Sequence, residues 1–189
     1  EPHEHVLLPL SPTSREDRVD LLIVGCGPAG LSAADRASEK GLRVAVVDPR
    51  PLAAWRNNYG VWVDEFEELG LDDCFANVWP KARVVIDDER PEGIQLDRPY
   101  ALVDRVKLKD KLLSRCAARG ARFGARAVAD VRHERGGSAA PLKGGNPSDA
   151  DGSLAGAEVH AKMGLDATGH VRQIVEFERG FTTGYQAAS

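Results

Sequence analysis

Apolar residues recur in short runs whose period changes along the chain, and the changes mark out the first elements. Asp20-Leu-Leu-Ile-Val24 is a continuous apolar run ending at a glycine, the pattern of a strand buried on both faces. From Pro28 to Lys40, Ala and Leu recur at helical spacing until Gly41 stops them. Arg43-Val-Ala-Val-Val-Asp48 is a second apolar run, closed by an acid. Strand, helix and strand fit within about 30 residues, the usual size of a βαβ unit, and predict two neighbouring parallel strands.

The pattern weakens after Asp48. Trp55 to Trp62 is aromatic and polar without clean periodicity, and Asp64 to Leu71 reads as a short amphipathic helix. Val84–Asp87 and Pro99–Val103 read as strands. A longer helix is expected from Asp104 to Arg119, with Val106, Leu108, Leu112, Leu113 and Cys116 on or near one face and Gly120 at its end. Ala125 to His133 reads as a strand. Residues 135–156 are rich in Gly, Ser, Ala, Pro, Asn and Asp, too polar to offset the cost of ordering, and are expected to form a surface loop. Glu158–Leu165 then resumes a strand that runs into Asp166-Ala-Thr-Gly169. Residues 1–18 are expected to be a flexible leading segment and 19–189 a dinucleotide-binding domain. The final stretch, from Val171 to Ser189, stops without a cap or a polar tail, which gives the expectation of a truncated chain lacking a substrate domain.

Composition removes some classes of function. The formal net charge of −4 gives no electrostatic case for nucleic acid, and no nucleic-acid partner is expected. No run of about 18 or more apolar residues occurs, so no bilayer-spanning helix is expected. The three cysteines and five histidines are scattered, with neither disulfide nor metal-ligand spacing, and no metal site is expected. Residues 1–18 show no transit or secretory pattern, and the numbering does not start at Met, which is compatible with a leader lying upstream.

The chemistry is concentrated in Gly25-Cys-Gly27-Pro28-Ala29-Gly30. This is a G-x-G-x-x-G between a strand and a helix, with Asp48 about 20 residues on. In such a turn the first glycine permits the bend, the second lets a pyrophosphate approach the backbone, and the third lets the helix pack on the strand. The helix amino terminus then offers unpaired N–H groups to the phosphates. A carboxylate at Asp48 accepts from ribose hydroxyls and repels a 2′-phosphate, which favours FAD or NAD over NADP at this turn. The strand-to-turn segment ending in Asp166 and Gly169 resembles the one that returns to the nucleotide in two-dinucleotide flavoproteins. Arg105-Val-Lys-Leu108-Lys-Asp-Lys-Leu112 resembles a stretch of flavoproteins of the aromatic-hydroxylase type, in which the arginine reaches FAD. Without that resemblance, Arg105 reads equally well as a solvated residue on a basic helix face.

Asn57-Asn-Tyr-Gly-Val-Trp-Val-Asp-Glu-Phe66 resembles the segment that follows the nucleotide fold in plant and cyanobacterial lycopene cyclases. The likeness continues through Cys74, Asp87-Asp88, Arg98-Pro-Tyr100, Arg105 to Cys116, Asp166-Ala-Thr-Gly169 and Gly184-Tyr-Gln186. Asn57-Asn58, Val63 after Trp62 and the closing Gly-Tyr-Gln lean towards the β-ring-forming type, and the 135–156 loop departs from the family pattern.

The resemblance implies an α/β chain with a Rossmann-like FAD-binding fold of the two-dinucleotide, aromatic-hydroxylase type. It implies cofactor contacts at Gly25, Gly27, Pro28, Ala29, Gly30, Asp48, Arg105, Asp166 and Gly169. It also implies carotenoid biosynthesis: a terminal double bond of linear lycopene is protonated, the cation closes a ring, and a proton leaves, without net redox change. Reduced FAD, with NADPH as electron donor, is implied, together with a peripheral place on a plastid membrane where the carotenoid dissolves. The family's catalytic acid is a glutamate in a Glu-rich motif beyond the Asp-Ala-Thr-Gly turn, which has no counterpart before Ser189. No catalytic residue is therefore expected in this segment, and the segment alone is expected to be inactive. Capsanthin/capsorubin or neoxanthin synthase, a flavin-dependent monooxygenase and an inactive fragment stay open as alternatives.

Overall fold

The computed structural model describes residues 7–86, 91–143 and 157–169. Expectations for Asp87-Asp88, most of the 135–156 loop, the final stretch and Gly184-Tyr-Gln186 lie outside the described residues. In chain order the elements are β1 (Val19–Val24), α1 (Pro28–Glu39), β2 (Val44–Val47), β3 (Gly60–Trp62), α2 (Val63–Glu68), a 3-10 turn (Asp72–Cys74), β4 (Phe75–Trp79) and β5 (Ala82–Val84). Then follow β6 (Ile94–Leu96), β7 (Tyr100–Val103), α3 (Arg105–Ala118), β8 (Arg122–Gly124), β9 (Ala127–Val128), β10 (Arg132–Glu134), β11 (Gly137–Lys143) and β12 (Glu158–Asp166). They form two compact units, one of residues 1–53 with 110–185 and one of residues 54–109 with 186–189.

The first unit is built on a sheet in the order β10-β11-β12-β1-β2-β8, with β9 paired to β11. Strands β12, β1, β2 and β8 run parallel, and β1 and β2 are the neighbours that the βαβ pattern predicts. Leu22 and Val24 lie in register with Ala45 and Val47, and these four join a core cluster with Leu10, Leu142 and Val159. Ile23, Val44 and Val46 alternate to the opposite face and are buried as completely. Because both faces are covered, the strands read as unbroken apolar runs. Helices α1 and α3 meet where Cys116 Sγ lies 3.7 Å from Leu31 O and where buried Asp35 pairs with Arg119 and with Arg115. Of the residues expected on one face of α3, Leu108, Leu112, Leu113 and Cys116 are buried, whereas Val106 is exposed.

Three expectations need correction in this unit. Of the leading segment, residues 8–18 lie along the sheet: Leu10 N donates to Phe123 O at 3.0 Å, Phe123 N donates to Leu8 O at 2.8 Å, and Leu10 is buried in the core. The apolar Leu7-Leu8-Pro9-Leu10 was the signal for this contact. The expected 135–156 loop surrenders Gly137–Lys143 to β11, which pairs with β10, β9 and β12. Its small residues Ala139 and Ala140 are fully buried, so they pack well despite their low hydrophobicity. The single strand expected over Ala125–His133 is two short ones, β9 and β10.

The second unit holds a three-stranded antiparallel sheet, β3-β7-β4, and a separate hairpin, β5-β6. Trp62 meets Tyr100 edge-on, with ring centroids 5.0 Å apart, and Arg98 lies over Trp62 at 4.5 Å. Asp104 caps α3, its Oδ1 accepting from Val106 N at 3.1 Å and Lys107 N at 3.0 Å. Among the described residues no helix is long and apolar enough to cross a membrane.

Candidate functional site: the turn after β1

Parallel strands β1 and β12 end side by side, Val24 in register with Asp166, and both chains turn there. Ala167 N donates to Val24 O at 2.8 Å, and Gly25 N donates to Val47 O at 2.9 Å. The carboxyl ends of three adjacent strands are thus tied together. On one side of β1 the chain winds through α1 to β2, and on the other side lies β12, the last strand in chain order among the described residues. This is a topological switch point, where open α/β sheets hold their ligands in a crevice.

Each fingerprint glycine meets different surroundings. Gly25 has φ +108°, and a Cβ on it would come within 2.5 Å of Ala167 O. A Cβ on Gly30 would come within 2.1 Å of Gly25 O and 3.2 Å of the Ala167 side chain, so this glycine sets how closely α1 packs on the turn. Gly27 differs, since its φ of −77° suits any residue and a Cβ there would meet no protein atom within 4 Å. The fold itself makes no demand for glycine at position 27. Open space beside it is what the close approach of a ligand to the backbone requires.

Gly27 is also the N-cap of α1, with Pro28 at the first helical position. No side chain caps this end, and no acid lies in the first turn. The backbone N–H groups beyond Pro28 and the positive end of the helix dipole are therefore presented together, an arrangement suited to phosphate.

Asp48 follows β2, and its carboxylate holds the turn. Oδ2 accepts from Cys26 N at 2.9 Å and Oδ1 from Arg50 N at 2.7 Å. Sequence reasoning assigned Asp48 to a ribose and missed this clasp on the glycine loop. Each oxygen keeps lone-pair capacity for a hydroxyl donor. Asp166 Oδ1 accepts from Thr168 N at 3.0 Å and Thr168 Oγ1 at 2.6 Å, which closes the turn against Gly25, and Gly169 follows with φ +77°. The structure thus gathers Gly25, Gly27, Pro28, Ala29, Gly30, Asp48, Asp166 and Gly169 at one end of one sheet.

Arg105 stands in the second unit, at the start of α3. Its Nη1 donates to Arg56 O at 3.0 Å and to Asn58 Oδ1 at 2.9 Å, which orders the turn before Tyr59. Burial raises the Tyr59 pKa, and the Arg105 charge partly opposes the shift. The acids of the aromatic stretch are accounted for locally: Arg98 donates to Asp64 at 2.9–3.2 Å and to Glu65 at 2.9 Å. Hydrogen bonding from Arg98 holds the Asp64 carboxyl below its usual range. Cys116, buried on α3, has its thiol pushed up to about 12 by desolvation and by the nearby Asp35 charge, and is no nucleophile.

The parallel sheet, the switch point and the glycine turn define a Rossmann-like α/β fold. The fold matches anhydrotetracycline hydroxylase OxyS of Streptomyces rimosus with TM-score 0.63, at 24% identity, over 82% of this chain and 32% of that one. It also matches a geranylgeranyl bacteriochlorophyll reductase-like protein of Thermoplasma acidophilum with TM-score 0.62, at 24% identity, over 79% of this chain and 39% of that one.

Within this class the chain belongs to the lycopene cyclase protein family, whose model matches residues 20–189. It is 43% identical to the chloroplastic lycopene beta cyclase of Arabidopsis thaliana over 96% of this chain and 34% of that protein. It is 39% identical to the chloroplastic neoxanthin synthase of Solanum lycopersicum, over 95% and 33%, and 40% identical to the chromoplastic capsanthin/capsorubin synthase of Capsicum annuum, over 89% and 31%. The chain spans about a third of the length of these relatives.

Proposed function

We propose that this chain supplies the FAD-holding segment of a lycopene cyclase. The observation that carries the reading is Gly27, a glycine that the fold does not need and beside which the protein leaves open space, at the uncapped start of α1. There the α1 N–H groups bind the pyrophosphate, the bare Gly27 backbone lets it approach, and Asp48 accepts from a ribose hydroxyl. The Asp166–Gly169 turn backs the glycine loop and keeps it in place. Arg105 enters through the family resemblance, as a residue that reaches the flavin.

When bound and reduced, with NADPH as electron donor, FAD supplies negative charge that stabilises a cationic transition state. The substrate of this reading is lycopene or a related carotenoid, and the reaction is proton-initiated, non-redox ring closure of the intramolecular lyase or isomerase class. The relatives' names place them in chloroplasts and chromoplasts, and we assign the plastid to this protein, at a membrane surface where so apolar a substrate dissolves.

Nearly equal identity to neoxanthin and capsanthin/capsorubin synthases keeps an epoxide-rearranging relative as the second reading. The test supplies lycopene, and separately an epoxidised carotenoid, in vesicles with FAD and NADPH, each with and without oxygen, to a full-length protein carrying this segment. A ring-closed isomer of unchanged mass is expected. Turnover only on an epoxidised carotenoid would select the second reading, and an oxygen-dependent hydroxylated product would refute both.

A further inference from the structure

At the amino end of β12, the opposite end of that strand from the Asp166 turn, a second feature is independent of the flavin reading. The leading segment, the β10-β11 hairpin and β12 border an open cavity of about 510 Å³. Three arginines and two histidines line it against two glutamates, an excess of one positive charge before either imidazole is counted.

The glutamates are already engaged. Arg15 spends Nε and Nη2 on Glu134 at 2.8 and 3.0 Å, and Arg132 pairs with Glu158. Hydrogen bonding from Arg15 is the chief cause that holds the Glu134 carboxyl below its usual range, so this pair stays charged at neutral pH. His160 stands between the two carboxylates, 3.7 Å from Glu134 and 3.6 Å from Glu158. Arg135, in the hairpin turn, is exposed and has no side-chain partner among the described residues. A guanidinium carries five N–H donors, so each paired arginine keeps donors to spare and Arg135 keeps all of its own.

The geometry points to a second anion site: this cavity binds a phosphoryl group, carried by free phosphate or by the headgroup of an anionic lipid. Three guanidinium groups, one from the leading segment and two from the β10-β11 hairpin, suit a tetrahedral anion with several acceptor oxygens, whereas a single carboxylate is already met by one arginine in each existing pair.

The test uses the full chain and two probes. Inorganic phosphate, followed by ³¹P line broadening, is expected to bind saturably and to bind about tenfold more weakly in Arg135→Ala, the loss of one charge-assisted contact. Lys40→Gln, which removes one exposed charge elsewhere, should leave binding unchanged. Vesicles of phosphatidylglycerol, set against phosphatidylcholine, separate the sources: Arg135-dependent sedimentation with the anionic vesicles alone assigns a lipid headgroup, and phosphate binding without vesicle binding assigns a free phosphate. Saturable binding of neither probe, or equal weakening by Lys40→Gln, would overturn the proposal.

Discussion

The two units bury their apolar residues very differently. In the first, Ile23, Leu31, Val46 and Val47 are almost wholly inaccessible, and the sheet is covered on both faces. In the second, Val78, Trp79, Val85, Ile86 and Ile94 all keep more than two fifths of their surface exposed, and among the described residues the β5-β6 hairpin pairs only with itself. Apolar pattern therefore predicts structure in the first unit, where burial follows it. In the second, local aromatic and ionic contacts such as Trp62 with Tyr100 and Arg98 hold the elements, and periodicity says little.

The contrast can be broken most severely at the glycine turn. Gly30→Ala forces a Cβ against Gly25 O and should cost about 3 kcal/mol or more of first-unit stability in denaturant unfolding. Leu10→Ala should cost about 2–3 kcal/mol, because Leu10 is a core residue; a loss below about 0.5 kcal/mol would restore the flexible leading segment. Asp48→Asn removes the charge that clasps Cys26 N and Arg50 N and should cost about 1 kcal/mol, with weaker flavin binding.

The smallest effect is expected in the second unit. The folded-state pKa of Asp64 is depressed, so its contribution is present above the unfolded value of 3.8 and is lost as pH falls through the lower folded value. Trp62 fluorescence, with Arg98 over the ring, should change only below pH 3.8, as Asp64 takes up its proton, while Arg98→Gln should abolish the transition.

Much of the first unit was legible. The βαβ pattern located β1, α1 and β2 within a residue or two, and the D-A-T-G turn stands beside the glycine turn. What escaped has physical causes. The Ala139-Ala140 strand lacks the bulky side chains that signal burial, and Arg122–Gly124 is too short to show a period, yet both complete the sheet. The Asp48 clasp on Cys26 N joins residues 22 apart through a backbone donor that carries no sequence signal. Asp35 reads as a polar position on an amphipathic helix, and only the packing of α3 reveals its arginine partners. In the aromatic stretch, family resemblance supplied what pattern could not.

If the Gly27 turn is a dinucleotide cradle, Gly27→Ala should weaken flavin binding without unfolding the chain. In this variant FAD titration, followed by quenching of flavin fluorescence, should lose about tenfold or more in affinity, roughly one crowded pyrophosphate contact, while denaturant unfolding without FAD shifts by less than about 0.5 kcal/mol. FAD affinity equal to that of the unaltered chain, with stability unchanged, would contradict that role, because the open space beside Gly27 would then serve no ligand.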